Sequence, residues 1–306
     1  MGSFKRSLPY AFSFAAAVFM VMAAELIGDN EIIFPEITAV AIGALAAPKR
    51  AWNTSRLRLF LTISAAAFLG VGIVRFVPLP LVFQVPLGLV CVLTLVTLSG
   101  TEFIPAVSAC VLPILMGTES VVYIISVAVM VGMILLMQVI LEKLGVREKY
   151  DFHPVEISRR LLKLRIKQAV IASLLCALPA IFHEPFFFAP PLIVAFIELS
   201  KPKSKLRTKS NAFKAVLLVI AAAFLGAGAR LLIVETAGLP LTIAAAVSCG
   251  VILFAVYKSG LFFPPCGAVA TLPLIIPSAA VIKFPFEVTA GILVFTAAAF
   301  ILFKEN

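Results

Sequence analysis

The sequence has little charge, almost no histidine and a single tryptophan. Lys, Arg, Asp and Glu make up only 13% of its 306 residues, and the mean hydropathy is +1.13. A soluble domain could not bury that much apolar surface, which excludes a soluble fold. The composition therefore predicts an all-α polytopic protein of the lipid bilayer.

Motifs of common enzymes are also missing. The two histidines, His153 and His183, lie in separate loops, and no GxSxG, HExxH or phosphate-binding glycine loop is present. The five cysteines lie in apolar stretches without CxxC spacing, which is typical of small packing residues. We therefore expect no enzyme activity, no metal and no other cofactor. Active transport would have to be secondary, driven by an ion gradient.

The net charge of +10 is concentrated in a few short stretches. Twenty of the 25 Lys and Arg residues lie at the N-terminus, in basic loops at 49–58 and 201–214, and in the stretch 142–168. Positive residues gather in cytoplasmic loops, so this pattern predicts an integral protein of the bacterial inner membrane with cytoplasmic N- and C-termini. Because topology accounts for these residues, nucleic acid is not expected as a partner.

The two halves of the sequence resemble each other. AAAFLGVG at 65–72 recurs as AAAFLGAG at 221–228, and Pro48-Lys49 matches Pro202-Lys203. The matches keep their order while the offset drifts only from 154 to 160. We predict a first membrane repeat at 1–141, a basic cytoplasmic connector at 142–167 and a second repeat at 168–306. About six segments per repeat would relate the copies by a parallel pseudo-two-fold axis.

Four predicted segments, at 31–47, 103–116, 185–200 and 263–277, are short for a membrane span. If all four re-enter, the number of crossings falls from twelve to eight, and both alternatives stay open. Two of them belong to proline-broken strings, SGTEFIPAVSACVLPILMG at 99–117 and SGLFFPPCGAVATLPLIIP at 259–277. Hydrocarbon tolerates a broken helix only where protein or a water-lined cavity surrounds the freed carbonyls. Such segments in two halves indicate the binding site of a transporter.

The predicted solute site lies between these two strings. Arg230 is a candidate anion ligand, because a guanidinium is costly in lipid and offers a fork of donors. Snorkelling to the headgroups is the alternative for this arginine. Glu36, directly after Pro35, is the candidate for proton coupling. The complete set of predicted substrate-binding residues is Ser99, Thr101, Pro105, Arg230, Ser259, Pro264, Pro265 and Gly267.

Part of the predicted connector, EISRRLLKLRIKQ at 156–168, alternates apolar and basic residues at helical spacing. Such a segment can lie on anionic lipid headgroups. A solvated linker helix would show the same pattern, and both interpretations stay open.

The string SGLFFPPCGA at 259–268 resembles the signature of the HPP family of integral membrane proteins, in which His-Pro-Pro precedes a small-Gly-Ala patch. Pro264-Pro265 and Gly267-Ala268 occupy the matching places, and Phe263 stands where the family has its histidine. The proline-containing runs at 34–49 and 186–203 also resemble that family's early segment. The resemblance implies a tandem relative of small-solute carriers, with nitrite transport known for plastid members.

The sequence thus predicts a secondary transporter or facilitator of a small, anionic solute such as nitrite or a carboxylate. A membrane scaffold or assembly protein and a channel are the alternatives. A transporter needs a mid-membrane cavity near Arg230 or Glu36, a scaffold would fill that space with Phe and Leu, and a channel has a continuous water path. Assembly into a homo-oligomer is also left open.

Overall fold

The computed structural model describes residues 2–47, 51–149, 151–202 and 204–304. Within these ranges the regular elements are helical, without strands. Their α-helices are α1 (Gly2–Ile27), α2 (Glu36–Ala41), α3 (Arg56–Phe76), α4 (Leu81–Leu98), α5 (Ala106–Met116), α6 (Val121–Lys143), α7 (Arg159–Ile181), α8 (Pro190–Leu199), α9 (Lys209–Ala229), α10 (Leu241–Ser259), α11 (Pro265–Thr271), α12 (Ser278–Val281) and α13 (Phe284–Leu302). Pro48, Lys49, Arg50 and Lys203 of the predicted basic loops lie outside the described residues.

Eight helices in the described ranges are long and apolar enough to cross a membrane. They are α1, α3, α4, α6, α7, α9 with its π-helical extension Arg230–Thr236, α10 and α13. Large apolar side chains such as Phe68, Leu136 and Leu174 are exposed on their outer faces, as expected for residues that meet lipid. These helices support the prediction of an integral membrane protein.

The starts of several long helices follow from capping residues. Ser55, Ser120, Ser158 and Thr208 each accept a hydrogen bond from a backbone N–H in the first turn of the helix that follows. Because Ser158 caps α7, the basic stretch from Arg159 onward forms the first turns of that helix. The predicted amphipathic helix and the apolar segment after it are therefore one continuous element.

The loops gather at two ends of the bundle. We call one the connector end, because residues 144–149 and 151–158 lie there with the loop before α3. Asn53 Nδ2 donates to the carbonyl of His153 at 2.9 Å, and the Val155 N–H donates to Gly100 at 2.9 Å. The C-terminal end of α13 is also here, since Lys167 Nζ donates to a carbonyl near its end at 2.6 Å.

We call the opposite side the far end. There the carboxylate of Glu25, near the end of α1, accepts hydrogen bonds from the backbone N–H groups of Leu241 and Thr242 at the start of α10. A carboxylate at a helix N-terminus satisfies free donors and complements the helix dipole. This contact fixes α1 against α10 across the two sequence halves.

The segment at 28–47 runs from the far end to the connector end, and only its second half is helical. At the far end, Ser126 Oγ near the start of α6 donates to the carbonyl of Ile32 at 3.1 Å. At the connector end, Arg147 beyond α6 donates to the carbonyls of Leu45 and Ala47 at 2.8 and 2.7 Å. Residues 28–35 hold only one 3₁₀ turn, whereas α2 and the π-helical stretch Ile42–Ala46 complete the passage.

The other short segments show the same division. Residues 99–105 leave the connector end without regular structure before α5 begins, and residues 260–264 do so before α11. Residues 182–189 enter from the far end with a 3₁₀ turn, Pro185–Phe188, before α8. Each of these segments begins at one end of the bundle and finishes at the other.

Two glycines let long helices approach the short ones. Gly70 of α3 lies against the carbonyl of Cys110 in α5, and Gly226 of α9 lies against the carbonyl of Ala270 in α11. A Cβ at either glycine would overlap with that backbone. No atom within 4 Å would meet a Cβ at position 72 or 228. Of the four glycines in the repeated motif, those at 70 and 226 make the close contacts.

We expect Gly70→Ala and Gly226→Ala to destabilise the bundle, because each would press a methyl group against backbone. Overpacking of this kind costs about 1–3 kcal/mol. Gly72→Ala and Gly228→Ala are the matched controls and should be neutral or slightly stabilising, since alanine favours helix by up to about 1 kcal/mol. Thermal unfolding of the four purified variants in one detergent measures the difference. Equal melting temperatures would contradict the packing.

Candidate functional site

The short helices α2, α5, α8 and α11 form the centre of the bundle, and we call them the central cluster. α2 packs against α11, α5 packs against α8, and α8 also touches α11. Every residue of α2 and α11 is buried. Each of the two predicted broken strings therefore packs against long helices of its own sequence half and also against a short helix of the opposite half.

Each helix of the central cluster is entered in the same way. A fully buried phenylalanine is followed within two residues by a proline at the start of the helix. Proline suits this position because its fixed φ favours the first turn and its missing donor is not needed there. The aromatic ring fills the space beside the non-helical chain. The pairs are Phe34 and Pro35, Phe103 and Pro105, Phe188 and Pro190, and Phe263 and Pro264.

These helices begin inside the bundle, away from its ends. Gly70 lies in the second half of α3 and abuts Cys110, in the second turn of α5. Gly226 likewise lies well along α9 and abuts Ala270 of α11. A helix of about ten residues is only about 15 Å long, about half the thickness of the hydrocarbon core. Helix starts at mid-depth place positive dipole ends in the interior.

Glu36 is the first residue of α2, and it is 1% exposed. Neither of its carboxyl oxygens has a hydrogen-bond partner within the described chain, where no ion pair includes it either. Ser108 of α5 and Tyr123 of α6 are its polar neighbours. The Ser108 hydroxyl is also buried and unbonded, whereas Tyr123 donates to the carbonyl of Ala109 at 3.0 Å. Burial without a counter-charge favours a neutral carboxyl group.

The other hydroxyls of the broken segments mostly serve the backbone. Thr271 Oγ1 lies 3.1 Å from the carbonyl of Pro35, which also accepts a hydrogen bond from the Thr38 N–H at 3.2 Å. Ser259 Oγ donates to Val256 at 3.0 Å, and Ser99 and Thr101 share a 2.8 Å hydrogen bond. Of the predicted binding residues, Ser99 and Thr101 therefore lie at the connector end, away from Glu36. Pro105 begins α5.

A cavity of about 730 Å³ opens at the connector end, lined by residues before α3, by α8, by the chain around the start of α9 and by the chain that enters α11. Of the predicted binding residues, Pro264 and Pro265 line it. Gly267, one turn further on, packs against Thr38 and Ile42 of the segment at 28–47. The charged and aromatic lining residues include Trp52, Glu198, Lys205, Phe262 and Phe263.

In the first half, the connector covers the corresponding place. The backbone of residues 153–155 is bonded to Asn53 and Gly100, and the Arg58 guanidinium lies 4.9 Å from the ring centroid of Phe152. Thr101 is left only 2% exposed, although its counterpart Leu261 lines the cavity. The two Ser-Gly openings are therefore alike in sequence and differ in access.

A second cavity, of about 380 Å³, opens at the far end. Its lining comes from the end of α5, from the chain before α8, from the chain after α11 and from the start of α13. Glu287 accepts a hydrogen bond from the Phe186 N–H at 2.9 Å, and Lys283 Nζ lies 3.9 Å from Glu184. Because α8 and α11 lie between the two cavities, these helices form the barrier between them.

Arg230 directly follows α9, at the far end of the bundle, and two of its guanidinium nitrogens contact protein groups. Nη1 donates to the carbonyl of Leu274 at 2.8 Å, and Nε lies 3.4 Å from Glu235. An arginine at the end of a helix satisfies free carbonyls there. This one bonds the last residue of the 3₁₀ turn that follows α11, and an anion would have to displace those contacts. Its counterpart Arg75 is exposed at the end of α3.

No family model matches the chain, and no similar curated protein or solved structure was found. The likeness to the HPP family therefore stays a prediction. Within the described residues, no group of three or more His, Cys, Asp or Glu side chains could hold a metal ion.

Sequence reasoning missed the repeated phenylalanine. Its four copies stand one or two residues before a proline, a spacing visible in the sequence. All four side chains are buried in the bundle, each beside the start of a short helix.

The difference in access predicts different thiol reactivity. We expect Leu261→Cys to react with a membrane-impermeant maleimide about tenfold faster than Thr101→Cys. Exposing position 101 requires release of the connector, and breaking its hydrogen bonds costs at least about 1.4 kcal/mol, equivalent to a factor of ten. The parent protein, with four buried cysteines and one partly buried, is the control. Equal labelling rates would show that the connector does not cover residues 99–105.

Proposed function

We propose that this protein is a proton-coupled secondary transporter of a small anion. The observation that carries the proposal is Glu36, a buried carboxyl group without a partner at a helix start inside the bundle. Ionisable residues at such depth are costly and usually serve proton or ion movement. Two cavities on opposite sides of α8 and α11 support a path with a barrier in the middle.

The proposed architecture is a tandem duplication with six membrane segments per repeat, four of the twelve segments being the short ones. Its support is that equivalent helices make equivalent contacts in the two halves. Between the halves, α1 packs against α10 and α7 packs against α4. Within the halves, α3 packs against α5 and α9 packs against α11. Such pairs are expected from a parallel pseudo-two-fold axis. By the positive-inside rule, the connector end would face the cytoplasm.

The proposed coupling follows from charge. An anion that approaches the start of α5 would meet the positive helix end and the free hydroxyl of Ser108. An ionised Glu36 beside this serine would repel the anion, whereas a protonated Glu36 would not. Anion and proton would therefore be bound together and released together. Acid on the side of uptake would accelerate transport.

The basic residues around the connector-end cavity also suit an anion. Lys201 pairs with Glu198 at 2.8 Å, while Lys205 lines the cavity and is exposed. An excess of positive charge at a cavity mouth raises the local concentration of anions. The resemblance to HPP proteins would add nitrite as one substrate to test.

A scaffold without transport is the second candidate. The four buried phenylalanines favour it, because they fill the centre of the bundle with rings. Uptake by purified protein in liposomes separates the two functions. The panel comprises nitrite, nitrate, small carboxylates and monovalent cations, each with and without a pH gradient. Saturable uptake of an anion supports transport, and no uptake above protein-free liposomes would favour the scaffold.

We expect Glu36→Gln to abolish the acceleration of anion uptake by an inward proton gradient, because glutamine has a similar shape and cannot release a proton. Glu119→Gln, at an exposed position in the far-end turn, is the control and should keep the response. Initial uptake rates at a series of external pH values measure the effect. A Glu36→Gln variant with an unchanged pH response would reject proton coupling at this residue.

A further inference from the structure

A groove lies on the outer surface between α4 and α7, near the connector end. Its volume is about 210 Å³, and its lining is almost entirely apolar. Side chains on the exposed face of α7, Leu162, Ile166 and Val170, form one wall. Because this face of α7 would meet lipid, the groove opens where the acyl chains of one leaflet would lie. The remaining lining residues are Val90, Leu93, Thr94, Thr97, Leu98, Ile157, Arg165 and Ala169.

Arg165 is the one charged residue of this lining, and it is 7% exposed. Its Nη1 donates to Gln168 Oε1 at 3.0 Å, while its Nε has no hydrogen-bond partner in the described chain. Glu198 and Glu102 act on it electrostatically. The inner wall of the groove therefore carries a buried positive charge beside an otherwise apolar lining.

At the connector end, the rim of the groove is basic, and its charges have no acidic partner in the described chain. Arg159, Arg160 and Lys163 are exposed in the first two turns of α7, and no ion pair of the described residues includes them. Arg159 and Lys163 are four residues apart, as are Leu162 and Ile166, so both pairs follow one face of the helix. Basic side chains beside an exposed apolar face are the arrangement that attracts anionic lipids.

The equivalent seam of the other half is filled. There α1 packs against α10, and the rings of Tyr10 and Tyr257 stack edge to face with centroids 5.4 Å apart. Phe14 also lies against Gly250 in that seam. The α4–α7 seam therefore has a groove where the α1–α10 seam is filled by aromatic rings. The basic residues Arg159, Arg160 and Lys163 lie beside this groove.

We infer that the α4–α7 groove binds an anionic phospholipid, with its phosphate at Arg159 and Lys163 and one acyl chain along Leu162, Ile166 and Val170. The apolar lining selects a lipid over free phosphate, and the basic rim selects an anionic over a zwitterionic headgroup. Gln168 links this groove to α8, because its Nε2 donates to Ser200 Oγ at 2.8 Å. Hydrogen bonds through Gln168 thus connect Arg165 in the groove to the end of the helix whose Glu198 lines the connector-end cavity.

The test uses the full-length protein, purified and delipidated in detergent. Phosphatidylglycerol, phosphatidylcholine with the same acyl chains, and glycerol 3-phosphate are added in separate titrations. Native mass spectrometry counts bound lipid, and thermal unfolding follows stabilisation. We expect one tightly bound phosphatidylglycerol, weaker phosphatidylcholine and no stabilisation by glycerol 3-phosphate. Equal binding of both lipids, or equal stabilisation by glycerol 3-phosphate, would overturn the inference.

Variants locate the site. The double variant Arg159→Ala/Lys163→Ala should weaken phosphatidylglycerol binding about 30-fold. Each basic side chain near a membrane surface contributes about a factor of five to the affinity for an anionic lipid. Lys209→Ala/Lys214→Ala, two exposed lysines at the start of α9, is the charge-matched control and should bind normally. Thr94→Phe keeps every charge but fills the groove, and it should also lose the lipid. Normal binding by both the double variant and Thr94→Phe would place the lipid elsewhere.

Discussion

The structure depends on pairing backbone groups that cannot reach water. Four segments pass from one end of the bundle to the other with half of their length outside a helix, and lipid cannot satisfy the polar groups thus freed. Protein side chains do so instead: Arg147 bonds two carbonyls beyond α2, and Arg230 bonds the carbonyl of Leu274 beyond α11. The eight long helices enclose these segments, and the close contacts at Gly70 and Gly226 make that enclosure tight.

Much of this arrangement is visible in the sequence. Proline placed inside apolar runs predicts where helices break, and Ser or Thr before Arg56, Val121, Arg159 and Lys209 predicts where they start. The partner of each short helix is not predictable in this way. α5 packs against α8 and α2 against α11, and such pairings of distant segments leave no local pattern. Arg230 illustrates the same limit, because the carbonyl that it bonds belongs to a residue 44 positions away.

The two halves share a plan and differ where chemistry is possible. Glu36 begins α2, whereas prolines begin α8, so only one half holds a buried carboxyl at this depth. The connector covers residues near Gly100, whereas the equivalent place near Gly260 lines a cavity. A groove opens in the α4–α7 seam, whereas tyrosines fill the α1–α10 seam. In the transporter proposed above, these differences would give one direction and one site to the transport cycle.

If the short segments cross the membrane, the two ends of each are accessible from opposite sides. Two variants of the first segment test this: Asn30→Cys and Ala51→Cys place thiols at exposed positions before and after its helical half. Each variant is labelled with a membrane-impermeant maleimide in right-side-out vesicles and, separately, in inside-out vesicles. The two thiols should react from opposite sides. Reaction of both from the same side would show that the segment re-enters and does not span the membrane.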